Sequence, residues 1–459
     1  MPQTSKNNLT PRQIVEELDQ YIIGQENAKK QLAVAYRNKW RRSQINATIQ
    51  KETTPTNILI IGPTGSGKTE CARRLANINK APFIKVEAPR YTERGYVGGD
   101  VNEMIRGLAD NAYNIVKKEK QQQVKVTATR NVEETILDTL IPRAIPNQED
   151  PSNQEAKEDI NKATRERFRK KLRNGDLNNY KIDIQIHSSQ NPINAMGFVG
   201  GALDESAMMN LENIFNKIMP KSSKKKKVTI QEAKKMLLEE EMNNLLDPES
   251  IKEETVKKTQ SQGIVFIDEI DKVANNNSQK SSNSNVSREG VQRDLLPIVE
   301  GTTVNTKYGP VQTDHILFIA AGAFHIAQPA DLLPEIQGRF PIRVKLESLT
   351  EKHFERILKE PNNSLIKQYQ ALLQAEEVDL TFTQEAITTI AHIAFQCNQE
   401  MQNIGARRLR TVLNHLLSEI LFNVPDQIKN GEKIIVDNKM VRKRLLPLIE
   451  KTDQSKYIL

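Results

Sequence analysis

Five short apolar runs recur along the chain. They are "NILIIG" (57–62), "FIKVEA" (83–88), "GIVFIDEID" (263–271), "HILFIAAGA" (315–323) and "PIRVKLE" (341–347). The first, third and fourth runs are nearly continuous in Ile, Leu, Val and Phe, which is typical of strands buried on both faces of a parallel sheet. Helix-like stretches such as 67–78 and 288–301 lie between the runs. Strands that alternate with helices in this way predict a doubly wound α/β layer.

The pattern changes between about residues 111 and 258, where Lys, Glu, Gln and Asn predominate. Within this block, "KIDIQIH" (181–187) alternates as a single half-buried strand would, and 229–246 is amphipathic and helical. We interpret "KSSKKKK" (221–227) as a solvated loop. The whole block is predicted to be a separate domain inserted into the α/β core. The alternative is one long structureless loop, which is uncommon in compact domains.

After residue 348 the chain is mainly helical. Helices are predicted over 351–374, 384–397 and 405–422, and a short strand at 433–437 precedes a last helix. The Asn- and Ser-rich stretch 275–285 is typical of a flexible surface loop. The length of the chain also favours several domains. We predict a discontinuous core domain (1–110 and 259–348), an inserted domain (111–258) and a small C-terminal domain (349–459).

Composition and charge exclude several classes of protein. The 66 Lys and Arg against 58 Asp and Glu give a formal charge of +8, a mild excess that permits nucleic-acid binding without arguing for it. Cys71 and Cys397 are too far apart in sequence to form a C-x-x-C motif, so no zinc ribbon or redox motif is expected. The first ten residues lack the apolar core of a signal peptide. The apolar run 316–324 is less than half of the roughly 20 residues that a membrane span needs. These features predict a soluble, cytoplasmic protein.

The first candidate for chemistry is "GPTGSGKT" (62–69), which follows a buried strand and opens a helix as a P-loop does. Its glycines let successive backbone N–H groups converge on a phosphate, and the helix N-terminus adds partial positive charge. Lys68 is predicted to reach the β- and γ-phosphates, and the Thr69 hydroxyl to ligate magnesium. The motif therefore predicts a site for ATP and Mg²⁺.

The second candidate is "IVFIDEID" (264–271), in which four apolar residues precede Asp268 and Glu269. Parallel α/β sheets bind ligands at the carboxyl ends of their strands, so both carboxylates are expected beside the P-loop. Asp268 is predicted to hold the magnesium, and Glu269 to polarise the water that attacks the γ-phosphate. Together the two motifs predict ATP hydrolysis.

With these motifs in place, the chain resembles the AAA+ ATPases, and more narrowly the HslU family, the ATPase and unfoldase subunits of a bacterial ATP-dependent protease. The resemblance runs from residue 10 to residue 459. The quoted segments that carry it are "YIIGQ", "GPTGSGKTE", "APFIKVEA", "GYVG", "GIVFIDEIDKV", "SREGVQRDLLPIVEG", "TDHILFIAAGAF", "EIQGRFPIRV" and "IGARRL". It implies an AAA+ P-loop core with a parallel five-stranded sheet, a mostly helical inserted domain, and a small, mainly helical C-terminal domain.

The resemblance also implies roles for single residues. In the family, the segment matching Ile22 and Ile23 packs on adenine, and the P-loop residues wrap the phosphates. Glu335 matches a position of the nucleotide site. Arg339 matches the arginine finger that reaches into the neighbouring subunit, and Arg407 matches the sensor arginine of the small domain. The P-loop residues concerned are Gly65, Ser66, Gly67, Lys68, Thr69 and Glu70.

Two further implications concern partners. The family's pore loop is G-Y-V-G, here 95–98, in which Tyr96 and Val97 would grip an unfolded chain. The family's C-terminal tail docks on the HslV peptidase, and this chain ends in the apolar residues Tyr457, Ile458 and Leu459. The resemblance therefore implies a homo-hexameric ring that works on protein substrates with an HslV-type peptidase, without a membrane or nucleic-acid partner.

One departure and three alternatives stand beside this interpretation. Ala321 occupies the strand end where AAA+ proteins usually place a small polar sensor of the γ-phosphate. The sister family ClpX has a metal-binding module that needs clustered cysteines, and this chain has none. A nucleic-acid motor of the helicase-loader type would need a basic stripe with interleaved aromatic residues, and the sequence has no evident stripe of this kind. A scaffold without hydrolysis is disfavoured by the intact pair Asp268 and Glu269.

Overall fold

The computed structural model describes residues 9–46, 48–49, 56–91, 99–141, 151–187, 223–274 and 288–450. The strands of this described part, in chain order, are β1 (Ile58–Ile61), β2 (Phe83–Glu87), β3 (Lys181–His187), β4 (Ser223–Thr229), β5 (Ile264–Asp268), β6 (Thr303–Thr306), β7 (Gly309–Gln312), β8 (Leu317–Gly322), β9 (Ile342–Lys345), β10 (Asp379–Phe382) and β11 (Lys433–Val436).

Its α-helices are α1 (Pro11–Asp19), α2 (Glu26–Gln44), α3 (Lys68–Ile78), α4 (Glu103–Leu140), α5 (Pro151–Asn174), α6 (Ile230–Asn244), α7 (Pro248–Gln262), α8 (Arg288–Glu300), α9 (Pro334–Arg339), α10 (Glu351–Lys359), α11 (Leu365–Gln374), α12 (Gln384–Glu400), α13 (Arg407–Asn423) and α14 (Asn438–Glu450). Among the described residues, no helix is both long and apolar enough to cross a membrane.

The chain divides into two compact units. The first comprises Met1–Ile115 and Lys252–Leu459, and the second is Val116–Ile251. The helix α4 begins in the first unit and runs on into the second, and α7 returns from the second to the first. The composition change at residue 111 therefore falls inside a continuous helix rather than at a loop.

The first unit contains a five-stranded sheet in the order β2-β5-β8-β1-β9, and every neighbouring pair is parallel. The five strands lie within the five apolar runs, so the predicted parallel sheet is confirmed. The register aligns Glu87 with Asp268 and Ile60 with Ala321. The carboxyl ends of β1, β5 and β8 consequently meet at one edge of the sheet, where the P-loop begins.

The apolar runs are continuous because helices cover both faces of this sheet. Alternate side chains of β1, β2, β5 and β8 belong to two different apolar clusters, whereas the apolar residues of the edge strand β9 belong to one of them. In β5, Val265 and Ile267 pack with residues of α4 and α8, whereas Ile264 and Phe266 pack with residues of α1, α2 and α3. Burial on both faces fixes the strand register, since a one-residue slip would exchange the two sets.

The C-terminal part of the first unit is built from α10 to α14 around one apolar cluster. The single helix predicted over 351–374 is wrong: α10 ends at Lys359 and α11 begins at Leu365. Pro361 lies between them, and a proline removes a helical hydrogen bond and clashes with the preceding turn. The new helix is capped by Ser364, whose hydroxyl accepts from the backbone N–H of Lys367. The sequence interpretation also missed β10, which pairs in parallel with β11.

The second unit has a small core of its own. Its buried residues are Val132, Ile136, Leu172, Ile182, Ile184, Val228, Ile230 and Ala233. The interpretation of 221–227 as a loop is wrong for 223–227, because residues 223–229 form β4, which pairs antiparallel with β3, and residues 221–222 lie outside the described part of the chain. Strand pairing is made by the backbone, so a lysine run can enter it while Lys226 and Lys227 stay exposed. Val228, opposite Ile182, supplies the buried contact.

Candidate nucleotide site

The P-loop connects β1 to α3 at the carboxyl edge of the sheet. Gly65 and Gly67 both have left-handed backbones, with φ of 72° and 102°, which other residues adopt only at a cost. The ammonium of Lys68 donates to the carbonyl oxygens of Gly62 at 2.5 Å and Pro63 at 2.9 Å. The loop thus ends at the N-terminus of α3, a geometry that favours binding of an anion.

Asp268 lies at the end of β5, beside the P-loop helix. Its Oδ2 accepts from the Thr69 hydroxyl at 3.4 Å and lies 3.1 Å from the ammonium of Lys85. A hydroxyl and a carboxylate side by side are oxygen ligands of the kind Mg²⁺ prefers, so these residues fit the metal. Lys85 was not identified from the sequence. It lies two residues before Glu87 on β2, so both side chains share one face of the strand, and Glu87 is the register partner of Asp268.

Glu269 follows Asp268 in an unusual backbone conformation. Its φ is 58°, in the left-handed region that is uncommon for a residue with a side chain. Its carboxylate pairs with the ammonium of Lys272 at 2.8 Å, and this hydrogen bond raises the pKa of Lys272. Left-handed residues outside glycine concentrate at functional sites, where surrounding structure holds them in place.

One cavity collects most of the sequence-predicted residues. Those lining it are Gly65, Gly67, Lys68, Thr69, Glu70, Asp268, Glu269 and Arg407. Burial lowers the pKa of Lys68. The negative charges of Asp268 and Asp271 oppose this decrease, and the positive charge of Arg407 adds to it. Asp271, Lys272, Arg288 and His325 also line the cavity and were not identified from the sequence. Asp271 follows Asp268 by three residues in "DEID", and this short spacing could have identified it from the sequence.

Ser66, Ile22 and Ile23 do not line this cavity. The Ser66 hydroxyl donates to the carbonyl oxygen of Pro63 at 2.8 Å, within the P-loop itself. Ile22 and Ile23 are buried, and the ammonium of Lys29 lies 3.5 Å from the Ile22 carbonyl oxygen. The segment that carries the two isoleucines is therefore fixed by a buried lysine on α2.

Glu335 and Arg339 both lie on the short helix α9, outside the cavity. Glu335 is exposed, and Arg339 pairs with the carboxylate of Glu300 at 2.9 Å. Within one chain, then, neither side chain reaches the P-loop cavity. The predicted pore residues Tyr96 and Val97, and the tail residues Tyr457, Ile458 and Leu459, lie outside the described residues.

Ala321, at the strand end where AAA+ proteins usually place a small polar sensor of the γ-phosphate, lies in β8. Ala321 is buried among the apolar side chains packed on α1, α2 and α3. Gly322 and Ala323 follow it at the cavity, and His325 is the first polar side chain of this segment to line it. Among the described residues, β8 itself brings no polar side chain to the cavity.

The fold and the site define a class of protein: a P-loop ATPase of the AAA+ type. Family models agree along the chain. Residues 58–141 match the ATPase family associated with various cellular activities, and residues 193–356 match an AAA domain of the Cdc48 subfamily. Residues 349–436 match the C-terminal D2-small domain of ClpB protein.

Full-length relatives narrow the class. Proteins described as the ATP-dependent protease ATPase subunit HslU are similar to this chain in Cytophaga hutchinsonii (52% identity, 98% of each chain), Thermosipho africanus (50%, 99% of each) and Thermotoga maritima (49%, 99% of this chain and all of the relative). The chain belongs to the HslU family. It is a nucleotide-binding ATPase.

Proposed function

We propose that this chain is the ATPase subunit of an ATP-dependent protease, and that it hydrolyses ATP to unfold proteins and pass them to an HslV-type peptidase. The observation that carries the proposal is the meeting of Lys68, Thr69, Asp268, Glu269 and Arg407 in one cavity. The relatives named ATP-dependent protease ATPase subunit, at 49–52% identity over nearly the whole chain, support the same assignment.

Each cavity residue has a task in this proposal. Lys68 binds the β- and γ-phosphates, and Thr69 and Asp268 hold Mg²⁺. The metal, when bound, neutralises charge that develops on the phosphate oxygens. Glu269 accepts the proton of the attacking water. Arg407 contacts the phosphates from the C-terminal part of the chain.

The proposal extends the site beyond one chain. Ile22 and Ile23 pack on the adenine, and Glu335 belongs to the same site. Arg339 completes the site of a neighbouring subunit, because its own helix lies outside the cavity of its own chain. A site that needs a residue from the next copy favours a closed ring, which we propose to be a hexamer.

The remaining tasks concern protein partners. Tyr96 and Val97 grip the unfolded substrate in the central pore, and the terminal residues Tyr457, Ile458 and Leu459 dock on the peptidase. Domain boundaries at 110/111, 258/259 and 348/349 are proposed to separate the ATPase core, the inserted domain and the small domain.

The replacement Glu269→Gln tests the ATPase assignment directly. It keeps the size of the side chain but removes the base, so steady-state ATP hydrolysis is expected to fall about 10²- to 10⁴-fold while binding of a fluorescent ATP analogue stays within about twofold. Glu360→Gln is the matched control, since Glu360 pairs with Arg356, neither residue lines the nucleotide cavity, and the loss of this pair should leave turnover unchanged. Wild-type turnover in Glu269→Gln would refute the role of Glu269 and support a scaffold that does not hydrolyse ATP.

A further inference from the structure

The turn between α12 and α13 lies against the P-loop, backbone to backbone. The N–H of Ala406 donates to the carbonyl oxygen of Gly65 at 3.1 Å. A Cβ placed on Gly65 would lie 2.0 Å from the carbonyl oxygen of Ile404, and a Cβ on Gly405 would lie 2.6 Å from the Thr64 carbonyl oxygen. Both glycines also have left-handed φ angles, of 72° and 59°. Only glycine permits this approach without a shift of one segment.

The buried side chain of Asn398 makes two hydrogen bonds to the backbone of this turn, and Asn403 makes a third by accepting from the Gly405 N–H at 2.9 Å. Asn398, on α12, is 6% exposed. Its Nδ2 donates to the carbonyl oxygen of Gly405 at 3.0 Å, and its Oδ1 accepts from the backbone N–H of Ile404 at 3.2 Å. The side-chain amide therefore satisfies a backbone acceptor and a backbone donor of the same irregular segment, as buried polar groups require.

A buried arginine fixes Asn398 in turn. Arg408 is 3% exposed, and its Nε donates to Oδ1 of Asn398 at 3.3 Å. Its guanidinium also donates to the carbonyl oxygen of Gln402 at 2.8 Å. The Oδ1 of Asn398 is thus committed to acceptance, which leaves its NH₂ group facing Gly405.

Arg407 follows the turn directly. It is the first residue of α13, and its side chain lines the nucleotide cavity together with Lys68. Its neighbour Arg408 points the other way, into the buried contact with Asn398. A displacement of the turn would therefore move the start of α13 and the Arg407 side chain with it.

We propose that Asn398 is a positioning residue of the ATPase site: it holds the turn 404–406 on Gly65 of the P-loop and so places Arg407 at the nucleotide phosphates. This inference rests on the role proposed above for Arg407. Asn398 itself does not line the nucleotide cavity, so it acts through the turn. Small misplacements of a catalytic or binding group can cost a hundredfold in rate.

A double-mutant cycle tests the proposal on the full chain. Asn398→Ala is expected to lower kcat/KM for ATP by about ten- to a hundredfold, and Arg407→Ala by a similar factor. In the Arg407→Ala background, Asn398→Ala should add less than about twofold, because the group that it positions is already gone. A merely structural role would give the same loss in both backgrounds.

Tyr369→Phe is the matched control for lost stability. It removes another side-chain hydrogen bond of the C-terminal part, between the Tyr369 hydroxyl and Asn414. We expect it to lower the melting temperature to an extent similar to Asn398→Ala while kcat/KM for ATP stays within about twofold of wild type.

Two further variants keep the test decisive if Asn398→Ala folds poorly. Asn398→Asp retains the size and both acceptor contacts but turns an oxygen toward the Gly405 carbonyl. Gly405→Ala leaves Asn398 intact and pushes the turn off Gly65. Both should reproduce the loss in kcat/KM.

The outcomes separate the two claims. Wild-type kcat/KM in folded Asn398→Ala or Gly405→Ala, or equal losses with and without Arg407, would overturn the positioning role alone. Wild-type hydrolysis by Arg407→Ala would overturn the proposed role of Arg407 and the Asn398 proposal with it.

Discussion

At the residue scale, Lys39 is a cation whose surroundings disfavour its charge. Its ammonium donates to the carbonyl oxygen of Gly263 at 2.9 Å, just before β5. Burial lowers the pKa of Lys39 from its ordinary 10.5 to about 7. Between these two values the unfolded chain binds more protons than the folded chain, so folding stability must rise with pH there. The effect is at most about 1.4 kcal/mol for each pH unit.

Lys39→Met should remove this pH dependence. The variant keeps most of the apolar stem, so the melting temperature of wild type should rise relative to that of Lys39→Met between pH 7 and pH 9.5. Lys30→Met, at an exposed position on the same helix, is the control and should track wild type. A difference between wild type and Lys39→Met that is constant across this range would contradict the lowered pKa.

Single residues also show what a sequence can and cannot predict. Lys68, Thr69 and Asp268 were found because each sits in a short motif whose strand or helix is visible in the same few residues. Asn398 lies in no quoted motif, and Lys85 lies in "FIKVEA", a run that indicates a strand but no chemistry. Their importance comes from partners distant in the chain, Gly405 across a turn and Asp268 across a sheet, which only the folded backbone brings together.

At the element scale, the same division appears between buried and exposed strands. The five strands of the parallel sheet were predicted because burial on two faces leaves an apolar run. By contrast, β4 was missed because four consecutive lysines hide a pairing that is made by backbone groups and one buried valine, Val228. The hairpin β6–β7 and the strand β10 are too short to show a period.

The small core of the second unit makes a sharp prediction for one helix. Ile136 on α4 is fully buried in that core, so Ile136→Ala should lower the free energy of unfolding of the second unit by about 2–5 kcal/mol. In hydrogen exchange followed by mass spectrometry, protection should fall across the described parts of 116–251 and stay unchanged in the five-stranded sheet. Val126→Ala, on the same helix but 80% exposed, should change neither. Equal loss of protection in the sheet would contradict an independent core.

At the scale of the whole molecule, family and fold were predictable from the sequence because ordered motifs extend from end to end of the chain. The proposed contacts between subunits could not be derived from the packing within one chain. Arg339 pairs with Glu300, outside the cavity of its own chain. Its proposed partner is the nucleotide of another subunit, which a single chain does not contain.

ATP hydrolysis by this chain is proposed to drive unfolding for a separate peptidase. This role can be tested by the loss of fluorescence of a folded fluorescent protein mixed with the chain, an HslV-type peptidase and ATP. We expect degradation only when all components are present. Tyr96→Ala should hydrolyse ATP within about twofold of wild type yet degrade at least about tenfold more slowly, since Tyr96 is proposed to grip the substrate and is not among the residues proposed to bind the nucleotide. Full ATP hydrolysis with no ATP-dependent degradation by the wild-type mixture would contradict the proposed unfolding role of this chain.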